Sequence, residues 1–124
     1  MTGPLALDHV QVAAPTGGEG AARAFYGGLL GLAEVEKPPA LAAEGGAWFV
    51  TATGLLNVGI TEPFVPAAKA HPGLRAQTGA ALDALAEALA AAGHPVEWDD
   101  RLPGHRRFYT RDPFGNRVEL LAAQ

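Results

Sequence analysis

The sequence has no cysteine, one methionine and little charge. Without cysteine there is no thiol catalysis, no thiolate metal site and no disulfide. The thin charge, 18% of residues against a usual quarter, leaves nine basic and thirteen acidic side chains and a net charge of −4. That balance argues against a nucleic-acid partner, whose surface calls for a positive excess. No uncharged apolar run approaches the roughly 20 residues of a membrane span. The opening Met1-Thr2-Gly3-Pro4 lacks the charged and apolar stretches of a secretory leader, and these features together fit the cytoplasm. At 124 residues the chain is expected to be one domain, 1–124, burying roughly two-thirds of its unfolded surface without disulfides. Its abundant alanine and glycine, with so few charges, mildly favour an oligomer.

What is present reads as an element order that occurs twice. Residues 5–14 alternate like a strand, with Leu7, His9 and Gln11 on one face and Val10 and Val12 on the other. Residues 19–30 place Ala22, Phe25, Tyr26 and Leu29 at helical spacing, and Gly31 follows as a natural C-cap. Strands are expected over 47–52 and 55–61, joined by a tight turn at Thr53-Gly54. Residues 62–70, with two prolines, read as a linker. The order then restarts: a strand over 71–78, weak by propensity because of Pro72 and Gly73; a helix over 79–92 with a Leu82, Leu85, Leu89 stripe and Gly93 as cap; a short strand over 95–98; a loop over 101–105. Strands over 106–111 and 116–122 are joined by Asp112-Pro113-Phe114-Gly115, which carries turn chemistry.

One spacing supports the doubling. Asn57 follows His9 by 48 positions, and Glu119 follows His71 by the same 48. Each half thus pairs a histidine in its first strand with a polar residue in its last.

The stretches LDHVQVAAP, AARAFYGGLLGL and FYTRDPFGNRVELL resemble the vicinal-oxygen-chelate superfamily, the group of glyoxalase, bleomycin-resistance and dioxygenase proteins. The resemblance covers nearly the whole chain and implies an α+β fold: two βαβββ modules, about 5–61 and 71–122, whose mixed sheets curl into a barrel-like cup. It implies His9, His71 and Glu119 as ligands of a divalent metal (zinc, manganese, nickel or iron), with Asn57 where glyoxalase I often has a carboxylate. An amide is the poorer ligand, which argues against a four-ligand glyoxalase I site and leaves open a three-ligand site like that of the fosfomycin-resistance enzymes. Tyr109 matches a substrate-contacting tyrosine of that group. The resemblance further implies a homodimer, with the cup formed within one chain or across two.

Two imidazoles and one carboxylate can hold a divalent ion and leave positions open for substrate. The expected activity is that of a metal-dependent lyase, isomerase or transferase on a small polar molecule, with Glu119 and Tyr109 in catalytic roles. Gln11, Trp48, Asn57, Arg107 and Tyr109 are the candidate substrate contacts, and Arg107 favours an anionic ligand. Plainer readings stand beside these. His9 can be a core histidine with satisfied nitrogens, His71 a solvated loop residue, and Glu119 a carboxylate partnered by Arg107 rather than by a metal. Of Trp48 and Phe49 one is core and the other lines the cup. Trp98 is a pocket wall or core, His94 and His105 are surface residues, and Glu62 is within conceivable reach of a metal. The competing function is a metal-free small-molecule binding protein of the bleomycin-resistance type. An extradiol iron dioxygenase, whose members are usually longer, ranks third.

Overall fold

The computed structural model describes residues 2–124 and divides the chain into two compact units, one ending at Phe64 and the other spanning Val65–Gln124. The first unit comprises β1 (His9–Ala14), α1 (Glu19–Ala22) running into a π-helical turn (Arg23–Leu29), β2 (Ala33–Val35), α2 (Pro39–Ala42), β3 (Ala47–Val50) and β4 (Leu55–Ile60). The second comprises β5 (Gly73–Arg75), α3 (Gly79–Ala91), β6 (Glu97–Asp99), β7 (His105–Arg111) and β8 (Arg117–Ala123).

Each unit carries a four-stranded mixed sheet with one topology: β1-β4-β3-β2 in the first and β5-β8-β7-β6 in the second. The first strand runs parallel to the last, and the other pairs are antiparallel. Register repeats as well. Asn57 faces Gln11 across β4 and β1, and Glu119 faces Gly73 across β8 and β5. The architecture is therefore α+β and doubled, as the sequence spacing predicts.

Alternation along the strands separates two faces in each sheet. In the first unit Val12, Ala14, Ala47, Phe49, Leu56 and Val58 are buried together with Phe25 and Tyr26. The rings of Phe25 and Tyr26 meet edge to face at 4.9 Å, and Tyr26 lies 5.9 Å from Phe49. Phe49 is thus the core member of the Trp48–Phe49 pair. In the second unit Leu82, Ala86 and Leu89 of α3 are buried, as are Phe108, Val118, Leu120 and Ala122 of β7 and β8. Leu85 is only half-buried, so Ala86 takes its expected place in the stripe. Thr78 caps α3 by accepting the Ala81 N–H at 3.1 Å.

Several expectations need correction. The first strand starts at His9 rather than at residue 5, and Leu5 and Leu7 are exposed. The expected helix over 19–30 keeps four α-helical residues and then widens, with Leu30 N–H bonding to the Phe25 carbonyl. The wider turn carries Gly27 and Gly28, and adjacent Phe25 and Tyr26 are both buried on it. Gly31, at φ +76°, ends it in the left-handed region as its C-cap role requires. The short β2 and α2 give no sequence signal, because prolines and glycines surround them. His71 lies two residues before β5, not inside it, and His105 opens β7 instead of lying in a loop. Trp98 is a pocket wall and not core: it is 48% exposed, borders a cavity of about 500 Å³ and has the Arg106 guanidinium 4.8 Å from its ring. Among the described residues no helix is long and apolar enough to cross a membrane.

Turn chemistry fixes the β3–β4 and β7–β8 hairpins. At Gly54 any side chain would run into the Asp8 carbonyl, so only glycine lets the chain approach there. At the β7–β8 turn, Asp112 accepts the N–H groups of Phe114 and Asn116 on one oxygen and the Asn116 side-chain amide on the other, each at 2.9 Å. Asn116 in turn accepts the Ala67 N–H, and the Ala67 carbonyl accepts the Arg117 N–H. This network ties part of the linker to the second unit.

Candidate functional site

The second unit gathers a polar cluster on the sheet face opposite Phe108, Val118 and Leu120. Tyr109 faces Glu119 across β7 and β8, and Asp99 faces Arg107 across β6 and β7. Glu119 is 8% exposed although its strand is otherwise apolar. A carboxylate so buried requires partners, and it has two. His71 Nε2 lies 2.9 Å from one oxygen, and Arg107 donates to the other at 3.5 Å. His71, placed just before β5, is carried to Glu119 by the parallel pairing that bonds the Glu119 N–H to the Pro72 carbonyl.

The tautomer of His71 follows from its neighbours. Nδ1 is 2.8 Å from the Lys69 carbonyl, an acceptor only, so Nδ1 carries a hydrogen. Nε2 then faces a carboxylate oxygen, also an acceptor. The pair is favourable only with a positive charge on or between the two groups: a proton or a cation. Tyr109 stands edge-on to His71 at 5.6 Å, with the guanidinium carbons of Arg107 and Arg117 at 5.3 and 3.7 Å from its ring centre.

Behind Arg107 lies Asp99, which accepts from Arg107 at 3.2 Å and from the Arg101 side chain at 2.7 Å. The Arg101 guanidinium and then the Arg101 N–H, with Arg107 adding less, hold the Asp99 carboxyl well below the usual carboxylate range against the opposing effect of desolvation. The sign of the linkage follows. A depressed folded value contributes stability that is complete above the unfolded value near 3.8 and is lost as pH falls through the lower folded value. We predict that Asp99 stays ionised at about pH 3. Carboxyl-carbon NMR checks this; a titration midpoint at the unperturbed value would refute the network.

The first unit presents a counterpart face with His9, Gln11, Trp48 and Asn57. Gln11 and Asn57 are register partners, as are Trp48 and Asn57. His9, with a side chain 52% exposed, places Nδ1 2.9 Å from Asp8. The Gln11 amide lies over Gly59, where a Cβ would come within 2.7 Å of it. Asn57 is 4% exposed, and its Oδ1 has no hydrogen-bond partner among the described residues. Glu62 is used locally, accepting the Thr16 N–H at 2.8 Å. His94 is half-buried rather than a surface residue, with Nδ1 2.9 Å from the Arg111 carbonyl.

The second unit thus brings together His71, Arg107, Tyr109 and Glu119, and the first gathers His9, Gln11, Trp48 and Asn57. Within neither unit do three described His, Asp or Glu side chains form a metal cage. Sequence reasoning missed Asp99 and the role of Arg101. Asp99 lies on a strand of three residues, which offers little pattern to read.

Comparisons with known proteins agree with this architecture. The family described as the Glyoxalase/Bleomycin resistance protein/Dioxygenase superfamily matches residues 6–120, spanning both units. Among solved structures, a glyoxalase family protein from Bacillus anthracis is 39% identical, with a TM-score of 0.91 over 100% of this chain and 99% of that one. Lactoylglutathione lyase from Agrobacterium tumefaciens is 26% identical, with a TM-score of 0.72 over 96% and 94%. The fosfomycin resistance protein FosX from Listeria monocytogenes, 17% identical, shares the fold with a TM-score of 0.75 over 97% and 94%. No curated protein matches the chain. The doubled sheets, the shared register and the family match lead to one conclusion: the chain belongs to the Glyoxalase/Bleomycin resistance protein/Dioxygenase superfamily.

Proposed function

We propose that the chain is a divalent-metal-dependent lyase, isomerase or transferase acting on a small polar or anionic molecule, with His9, His71 and Glu119 as metal ligands. The observation that carries this reading is His71, whose two nitrogens both face acceptors. An imidazole whose Nδ1–H is held by a backbone carbonyl, with Nε2 beside a carboxylate, is the usual presentation of a histidine ligand. The donor set fits: imidazole nitrogen and carboxylate oxygen suit zinc, manganese, nickel or iron. The 2.9 Å separation of Nε2 and Oε1 fits too, since two ligands of one ion at about 2.1 Å stand roughly 3 Å apart. A bound ion would supply Lewis acidity toward a substrate oxygen.

The chain's own residues supply the rest. Arg107, itself fixed by Asp99, holds Oε2 of Glu119 so that Oε1 stays toward His71. Arg107 and Tyr109 border the same face and would orient an anionic substrate. The lyase and resistance activities named for the Agrobacterium and Listeria proteins support this class of chemistry. A homodimer belongs to the same proposal. The test is elemental analysis of the purified protein beside its His71→Ala and His9→Ala variants. We expect close to one divalent ion per chain, lost in both variants; unchanged stoichiometry in both would remove the triad.

A second reading, metal-free binding of a small molecule, draws on Asn57. An amide stands where a carboxylate ligand would be expected, and its buried Oδ1 lacks a donor. A ligand N–H or O–H would satisfy it beside Trp48. Saturable tryptophan quenching that persists in excess chelator would favour this reading.

A further inference from the structure

We infer that Arg111 and Arg117, together with Tyr109, form an oxyanion-binding subsite at the hairpin end of the polar face of the second sheet. Arg111 and Arg117 are direct register partners across β7 and β8. Like charges placed directly opposite on an antiparallel pair repel one another, and an isolated sheet gains nothing from the arrangement. Nor does the surrounding protein neutralise it. Arg101, Arg106 and Arg107 each pair with a carboxylate. Among the described residues Arg111 and Arg117 pair with none. Arg111 reaches only the Gly115 carbonyl, at 3.4 Å. Arg117 is half-buried and stacked 3.7 Å from the centre of the Tyr109 ring, so its guanidinium is held in place and not free in solvent.

Both arginines and Tyr109 border a pocket of about 260 Å³. A liquid water occupies roughly 30 Å³, so this space takes a small anion with part of its hydration, or the anionic arm of a larger molecule. Two guanidiniums on neighbouring strands can offer planar N–H pairs to a phosphate, phosphonate or carboxylate. Glu97, the register partner of Tyr109, borders the same pocket and forms no ion pair among the described residues. Its charge opposes an anion there and sets a limit on affinity. Tyr109 connects the subsite to His71 and Glu119, so an anion held by Arg117 would lie at one end of the proposed reaction site. That meaning rests on the proposed function; the binding itself requires no metal.

The test uses the full-length protein in chelator at constant ionic strength. Inorganic phosphate, methylphosphonate and acetate are titrated separately, and the amide and arginine Nε signals are followed by NMR. Saturable shifts centred on Tyr109, Arg111 and Arg117 are expected. Arg117→Gln should weaken binding about tenfold or more. Glu97→Gln, an exposed substitution that leaves the fold intact, should tighten it about threefold. Comparing the three anions separates a phosphate or phosphonate preference from a carboxylate one. Binding by Arg117→Gln within about twofold of wild type, or shifts centred on Arg101 and Arg106, would overturn the subsite. If His71→Ala leaves metal content unchanged while phosphate still binds at Arg117, the metal reading falls and the subsite stands; the reverse result removes the subsite alone.

Discussion

Glu119→Gln is expected to lower divalent-metal affinity by at least about 100-fold while leaving the fold intact. Loss of a residue that only supports a ligand costs about 10–100-fold, and Glu119 is proposed as a ligand itself. Glutamine keeps the shape of a side chain that is 8% exposed, so the substitution removes charge without opening a cavity. Arg107 retains Asp99, and the sheet loses no backbone pairing. Competition against a chromogenic chelator measures the affinity, and thermal unfolding without metal reports the fold. Arg107→Gln is the graded control: it should fall in the 10–100-fold range, because Arg107 acts on the metal only through Glu119. Equal affinities in wild type and Glu119→Gln would remove Glu119 from the metal site.

Asp112→Ala is expected to destabilise the protein by about 3 kcal/mol, since hydrogen bonds to a buried charged acceptor contribute about 1.5–3 kcal/mol and their unpaired donors stay buried. Asp112 is 4% exposed and Asn116 2%. Removing the carboxylate takes its acceptor oxygens at once from the Phe114 and Asn116 N–H groups and from the Asn116 amide. The loss spreads to Ala67, which is held by the Asn116 side chain. The corresponding shift in melting temperature is about 10 °C for a chain of this size. Denaturant unfolding checks it, through the midpoint at constant slope; a loss below about 1 kcal/mol would show that water replaces the carboxylate without penalty.

The doubled order was legible because it rests on spacing, and the pairing of His71 with Glu119 was implied by the family resemblance. Parallel pairing of a first strand with a last one converts a fixed interval into a contact, whatever lies between. Glu119 also stood out by chemistry, as a carboxylate in an apolar run. The widening of the first helix was not legible, since Phe25, Tyr26 and Leu29 fit α-helical spacing and only tertiary burial decides the turn. The strand boundary at His9 was hidden for a similar reason: Leu5 and Leu7 continue the alternation of β1, yet no strand pairs with them. Asp99 escaped because β6 is three residues long, too short for a period to declare itself. Asp112-Pro113-Phe114-Gly115 reads as a turn, but the hold of the adjoining Asn116 on Ala67 depends on a long-range hydrogen bond that no local pattern records.

The topology also constrains the order in which the molecule can assemble. In each unit the strand made first finds its lateral neighbour in the strand made last. Such distant pairings close late, because a long intervening loop must be ordered before they are rewarded. On a ribosome the N-terminal unit can therefore seal its sheet as soon as β4 emerges, before β5 to β8 have followed it out. The C-terminal unit must wait for β8, and Glu119 meets His71 only once that strand has been made.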